Sequence, residues 1–137
     1  MPGETNLDQL LRSMQPVLHP AAYVFCTLPL GQPVPPPLAP VATFREAEGL
    51  TLIVSAAEAA RVGLAAVYPC RWVTLSVHSS LEAVGFLARI TTHLAAHGVS
   101  VNPVSGYYHD HLFVPADRVE DVMRLLDELR PPLRSSS

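Results

Sequence analysis

A short polar segment joins a strand to a helix and is the place where the sequence best supports ligand chemistry. It reads His78-Ser79-Ser80-Leu81-Glu82 and follows the alternating run at residues 72–77. Ser79 and Glu82 have the spacing of a capping box, which predicts a helix beginning there. Amides in the first helical turn lack helical partners, and the helix dipole adds partial positive charge, so a small carboxylate can bind. Alternatively, Ser79 and Glu82 only cap the helix, which contributes about 1 kcal/mol.

A second polar group lies on the predicted strand at residues 109–114. Period-two alternation places His109 and His111 on one face and Asp110 on the other. With His78 as a third ligand, the two imidazoles have the composition of a metal site. Asp110 could instead balance a ligand ammonium group, or the segment is an ordinary polar strand edge. The predicted ligand-binding set is His78, Ser79, Ser80, Leu81, Glu82, Gly85, Asn102 and Asp110; His109 and His111 are weak metal candidates.

Two of these predicted ligand residues, Gly85 and Asn102, are included because of their residue type at their position in the predicted helix or strand. Gly85 lies in the first turn of the predicted helix, where the absence of a side chain permits a close approach to the backbone. Asn102 is polar within an otherwise apolar strand, which favours a hydrogen bond to a ligand or across an interface.

Catalytic signatures are absent from the sequence. There is no Gly-x-Ser-x-Gly elbow, phosphate loop or dinucleotide fingerprint, and the acidic residues cluster at helix ends and a turn. Cys26 and Cys70 lie far apart in apolar stretches, which predicts buried free thiols. We therefore expect a protein without enzymatic activity and without a cofactor.

Charge and hydropathy exclude several classes of partner. The net charge is −3 and the nine basic residues are all arginine, so we expect no nucleic-acid binding. No apolar run approaches the roughly 18 residues of a membrane span. The N-terminal residues lack the pattern of a secretory signal, which predicts a cytoplasmic protein.

The first half predicts a helix, a strand, a hairpin and a second helix. Apolar residues at helical spacing indicate a helix at residues 7–14, and β-formers indicate a strand at residues 23–28. Six prolines between residues 29 and 40 predict a loop. A hairpin follows at residues 41–54, with Gly49 expected to supply a positive φ at its turn, and Ser55 is expected to cap a short helix.

The second half predicts the order β-α-β-β-α. A strand at residues 72–77 leads to a helix that ends near Gly98, and strands at residues 99–104 and 109–114 pair antiparallel. A last helix begins with Asp117, Glu120 and Asp121, where acidic groups favour the helix dipole. No fourth strand follows, so we expect residues 23–28 to complete the second sheet.

Four segments together resemble a family of small bacterial ACT-domain proteins. They cover residues 23–29, 42–52, 79–85 and 106–115, and the second half is also similar to the ACT units of cytosolic amino-acid sensors. This resemblance implies an α+β fold of two interleaved ferredoxin-like (βαββαβ) ACT units, with antiparallel sheets and helices on one face. The expected units are residues 1–66 and 67–137.

The resemblance also implies a function. ACT units commonly bind amino acids at an interface between units, so we expect a regulatory module that binds a small molecule, most simply an amino acid, and forms a homodimer. Two alternatives stay open at this point: an interaction module without a ligand, and a metal-dependent protein that uses His78, His109 and His111.

Overall fold

The computed structural model describes residues 6–77 and 83–130, which contain four α-helices and six strands. The predicted ligand residues 78–82 lie outside this part of the chain. In chain order the elements are α1 (Leu7–Ser13), β1 (Gln15–Leu28), β2 (Ala42–Glu46), β3 (Gly49–Ser55), α2 (Ala56–Val62), β4 (Val67–Ser76), α3 (Phe86–Ala96), β5 (Asn102–Ser105), β6 (Asp110–Pro115) and α4 (Val119–Glu128), with a 3₁₀ turn at Ala116–Arg118 before α4.

The strand order is β2-β3-β1-β4-β6-β5, and the chain divides into two compact units. Unit 1 contains Met1–His19 and Trp72–Ser137, whereas unit 2 contains Pro20–Arg71. Strands β1 and β4 therefore each contribute residues to both units. The predicted interleaved ferredoxin-like architecture is confirmed, because one unit is built from two separate stretches of chain.

Unit 1 has its helices on one face of its strands. Val73 and Leu75 of β4 and Leu112 and Val114 of β6 are fully buried in the core that α1, α3 and α4 share, since alternate residues of a strand point to one face. The main core residues are Leu10, Leu11, Met14, Val73, Leu75, Phe86, Ile90, Leu94, Leu112, Val114, Val122, Leu125 and Leu126. The opposite side chains of the same strands form the polar and aromatic cluster described below.

Unit 2 is built on the antiparallel pairs β1–β3 and β2–β3. Its core contains alternate residues of β1 and β3 with Ala59 of α2: Val24, Cys26, Leu28, Leu52 and Val54. The proline-rich segment between β1 and β2 forms a loop, as predicted, and its Val34 and Leu38 pack against this core.

The hairpin of β2 and β3 is confirmed, but the expected reason for Gly49 is wrong. Gly49 does not have a positive φ. A Cβ atom at this position would lie 2.8 Å from Thr27 Oγ1 and 2.9 Å from the carbonyl oxygen of Leu28. The glycine is therefore required by the close approach of β1 to the hairpin.

Helix α2 begins as the sequence predicts. The side chain of Ser55 accepts a hydrogen bond from the amide of Glu58 at 3.1 Å. The helix ends at Gly63, whose φ of 72° is the left-handed conformation that terminates many helices.

Two predicted strand boundaries and one predicted strand assignment are wrong. Strand β1 begins at Gln15, before the predicted start at residue 23, and continues through Pro16 and Pro20. Residues 23–28 of this strand pair with β3 in unit 2, so the N-terminal contribution to unit 1 comes from the residues before Pro20. Strand β5 is shorter than predicted and begins at Asn102, since residues 99–101 form the connection from α3.

The start of α3 also differs from the prediction. The helix begins at Phe86 with Gly85 as its N-cap, and Ala83 and Val84 lie before it. The predicted capping residues Ser79 and Glu82 lie outside the described residues. The predicted end is confirmed, because Gly98 follows the helix with a φ of 74°.

Candidate functional site

The N-terminus of α3 presents backbone donors that no side chain among residues 6–77 and 83–130 caps. Gly85 is the N-cap residue, with a φ of 92°, and the first helical hydrogen bond runs from the amide of Arg89 to the carbonyl of Gly85 at 2.9 Å. The three preceding amides, of residues 86–88, have no partner within the helix. No acidic residue lies in the first turn of α3. This end of the helix can therefore accept a small anion.

Gly85 is required by its backbone conformation and not by crowding. A Cβ atom there would contact only Leu7 Cδ2, at 3.8 Å. The positive φ, however, is one that residues with side chains rarely adopt. Gly85 thus turns the chain into α3.

The start of β6 lies beside the end of β4, where the chain leaves toward α3. His109 Nδ1 donates to the carbonyl oxygen of Val77 at 3.1 Å, which fixes this juxtaposition. Asp110, the next residue, accepts a hydrogen bond from the hydroxyl of Ser105 across the β5–β6 hairpin. It lies on the same face of β6 as Leu112 and Val114, which is the face covered by the helices.

The structure does not bring Asn102 and Asp110 together. In the β5–β6 register Asn102 pairs with Phe113, whereas Asp110 pairs with Ser105. Because alternate residues of a strand point to opposite faces, Asn102 and Asp110 lie on opposite faces of the hairpin. Asn102 is exposed, and its predicted hydrogen bond to a ligand or across an interface stays a prediction.

In the predicted metal site, the Nδ1 atoms of both imidazoles are engaged by protein groups. His109 contacts Val77, and His111 Nδ1 accepts a hydrogen bond from the indole nitrogen of Trp72 at 3.0 Å. Within residues 6–77 and 83–130, no group of three or more His, Cys, Asp or Glu side chains is placed to hold a metal ion. His78 lies outside these ranges, so the three-histidine site stays a prediction.

A cluster of aromatic and imidazole rings occupies the face of unit 1 opposite its helices. The rings of His19 and Trp72 are stacked, with centroids 3.6 Å apart and an interplanar angle of 10°. The hydroxyl oxygen of Thr74, which is 8% exposed, lies 2.8 Å from His19 Nε2 and 3.1 Å from His111 Nδ1. We refer to His19, Trp72, Thr74 and His111 as the ring cluster.

Hydrogen bonding fixes the protonation of His111 in the ring cluster. An indole N–H can only donate, so His111 Nδ1 carries no proton and the ring is neutral with its proton on Nε2. Burial lowers the pKa of His111, and the charges of His109 and His19 lower it further, against a smaller opposing effect of Asp110. Burial also lowers the pKa of His19.

No sequence pattern singled out His19 as part of this cluster. The alternation of residues 72–76 and 109–113 does place Trp72, Thr74 and His111 on corresponding faces, and this was the available signal. His19 could not be assigned to a strand from the sequence, because Pro16 and Pro20 lie on either side of it.

The cysteine thiols are poor nucleophiles. Cys26 and Cys70 are both free and buried, as predicted. Burial raises the pKa of Cys70 to about 11 and also raises that of Cys26. Cys70 Sγ donates to the carbonyl oxygen of Tyr23 at 3.4 Å, which further favours the thiol over the thiolate.

Comparison with family models gives two matches in tandem. A model described as an ACT domain matches residues 2–71, and a second model, also described as an ACT domain, matches residues 67–128. A search of the curated proteins found no match.

Comparison with solved structures finds similar folds. A protein of unknown function from Vibrio cholerae, described as a possible transport protein, is 43% identical, with a TM-score of 0.80; the match covers 91% of this chain and 96% of that chain. A protein from Agrobacterium tumefaciens is 18% identical, with a TM-score of 0.71 and coverage of 85% and 88%. The regulatory subunit of aspartate kinase from Thermus flavus is 11% identical, with a TM-score of 0.60 and coverage of 83% and 95%. The last two similarities concern the fold alone.

Proposed function

This chain belongs to the ACT-domain family, and from that premise we propose that it is a regulatory module without catalytic activity that binds an amino acid. ACT domains are typically regulatory and bind small ligands. The residues proposed to contact the ligand are those predicted from the sequence: residues 78–82, Gly85, Asn102 and Asp110.

The observation that carries the proposal is the N-terminus of α3, which no side chain in the described part of the chain caps. In the proposed complex the ligand carboxylate accepts hydrogen bonds from the amides of residues 86–88, beyond Gly85. Asp110 is the proposed partner of the ligand ammonium group, because it lies near the end of β4 and on the face covered by the helices. Asn102, on the opposite face, would contact only a ligand that extends around the edge of β5.

Thermal unfolding in the presence of each of the twenty amino acids tests the proposal. A ligand at 100 times its dissociation constant adds about 2.7 kcal/mol to the free energy of unfolding. A response to none of the twenty would contradict amino-acid binding.

A pair of variants at Ala88 tests the location of the site. Ala88 is exposed in the first turn of α3. We expect Ala88→Glu to weaken amino-acid binding at least about tenfold, since its carboxylate competes for the same amides, while stabilising the helix by about 0.5 kcal/mol. Ala88→Gln, of nearly the same shape but neutral, should bind as the original chain does. Equal binding by both variants would place the ligand elsewhere.

An interaction role is the second candidate, supported by the two strands that end the sheet order. Every residue of β5 is exposed, and Phe44 of β2 is 72% exposed. Such edges can pair with another chain, so we propose a homodimer, testable by sedimentation at several protein concentrations.

The proposal also includes a cytoplasmic location, no nucleic-acid or membrane partner, and a functional boundary between residues 66 and 67. In the described residues no helix has the length and apolar character needed to cross a bilayer.

A further inference from the structure

Unit 2 contains a cavity of about 390 Å³ that the proposed amino-acid site does not use. Its lining includes Phe25, Thr27, Thr51, Ala65, Ala66 and Val67. Phe25 and Thr27 of β1 lie on the face opposite the unit 2 core, since the alternate residues Val24, Cys26 and Leu28 face that core. A volume of this size lies within the range of small-molecule sites.

A carboxylate is hydrogen-bonded to one of the residues that line the cavity. Thr27 and Thr51 pair directly across β1 and β3, which places both hydroxyl-bearing side chains on the cavity face. The hydroxyl of Thr51 donates to Oε1 of Glu46, so Glu46 lies immediately beside the lining. No ion pair between described residues engages Glu46, which leaves its charge available to a cation.

A residue next to the cavity lining has an unusual backbone conformation. Tyr68 has a φ of 60°, and it is the one residue other than glycine with a positive φ in the described part of the chain. Its ring packs edge-on against Phe25, with centroids 5.7 Å apart and an interplanar angle of 84°. Tyrosine rarely adopts this conformation, and such residues concentrate at functional sites. Val67, directly before it, is 67% exposed and lines the cavity.

We propose that this cavity binds a small organic ammonium compound with an apolar body and no carboxylate. The apolar body contacts Phe25, Ala66 and Val67, and the ammonium group pairs with Glu46. An amino acid is disfavoured here, because its carboxylate would lie close to that of Glu46 and the lining offers no cation. The site is thus chemically distinct from the N-terminus of α3.

Calorimetric titration of the full chain with three probes of similar shape tests the inference. We expect 2-phenylethylammonium to bind about fivefold more tightly than neutral 2-phenylethanol. We expect 3-phenylpropionate not to bind in unit 2. Equal affinity for the three probes, or binding of none, would overturn the proposal.

Variants locate the binding and separate it from the proposed amino-acid site. Glu46→Gln should remove the preference for the ammonium probe over the alcohol, whereas Glu48→Gln, an exposed carboxylate in the adjacent turn, should preserve it. Ala66→Phe adds a ring to an exposed lining position and should abolish binding of both probes. Ala88→Glu, which tests the amino-acid site, should leave both affinities unchanged, so the two proposals can fail independently. Retention of the ammonium preference in Glu46→Gln would overturn the assignment.

Discussion

At the scale of single residues, the ring cluster contains an imidazole, His111, whose hydrogen bond depends on its protonation, and an indole, Trp72, whose emission can report that protonation. Trp72 is the one tryptophan of the chain, and its indole stacks on His19 and donates to His111. A proton added to His111 Nδ1 would face the indole N–H, so two donors would meet. Protonation must therefore break the Trp72–His111 hydrogen bond, and the emission of Trp72 should report it.

The first prediction concerns the pH dependence of folding stability. The pKa of His111 in the folded protein lies below its ordinary value of 6.5, chiefly because of burial. Between these two values the unfolded chain binds more protons, so the free energy of unfolding rises with pH. The contribution of neutral His111 to the free energy of unfolding is complete above pH 6.5 and is lost as the pH falls toward the pKa of His111 in the folded protein.

Urea unfolding monitored by Trp72 emission, from about pH 5 to about pH 8, measures this dependence. We expect His111→Gln to reduce the loss of stability below pH 6.5. His19→Gln should reduce it further, because the pKa of His19 is also lowered and its charge acts on His111. An unchanged pH profile in His111→Gln would show that this imidazole does not determine the effect.

At the scale of elements, capping is predictable when the residues that carry it are adjacent in sequence. Ser55 begins α2 as expected, and its side chain accepts the amide of Glu58. We expect Ser55→Ala to lower the free energy of unfolding by about 1 kcal/mol, since the cap is lost. Ser55→Asp keeps an acceptor and should retain most of the stability in chemical denaturation. Equal losses in the two variants would contradict a capping role.

Long-range contacts explain the elements that the sequence misplaced. The capping-box pattern at residues 79–82 is local, but α3 begins at Phe86, after the positive φ of Gly85 turns the chain. Gly49 appeared to be a turn glycine, yet its requirement comes from Thr27 and Leu28 on another strand. Neither fact is visible without the partner strand or the tertiary path of the chain.

The predicted start of β1 at residue 23 is too late, because two prolines precede it. Pro16 and Pro20 lack amide donors, so they argue against a strand that is paired on both sides. The β1–β3 register, however, covers only residues 23–28, so the earlier residues of β1 do not depend on β3 for hydrogen bonds. Alternate residues of a strand present their backbone nitrogens to the same edge, and Pro16 and Pro20 are both even-numbered positions of β1. The amide donors that these prolines lack would therefore all lie on one edge of the strand.

The candidate site was predictable in outline only. Sequence indicated a helix N-terminus near residue 80, and the structure contains this feature with a later helix start, at Phe86. The shared face of His109 and His111 stays a prediction. The sequence did not indicate the cavity of unit 2, because Phe25, Thr51 and Val67 come from three segments that only the fold brings together.

At the scale of the whole molecule, interleaving makes unit 1 depend on both ends of the described chain. Three α1-side residues, Leu10, Leu11 and Met14, are at most 3% exposed and belong to the same core as α3 and α4. Removing even one large buried side chain costs about 2–5 kcal/mol, which is comparable to the net stability of a small domain.

Residues 72–137 alone should therefore fail to fold cooperatively. Adding a synthetic peptide of residues 6–19 should restore a cooperative unfolding transition, monitored by circular dichroism and by Trp72 emission, because it returns α1 and the ring of His19. A peptide in which Leu10, Leu11 and Met14 are replaced by serine keeps the length and the His19 ring but should not restore the transition. Cooperative unfolding of residues 72–137 without any peptide would show that the second ACT unit is complete without the N-terminal segment.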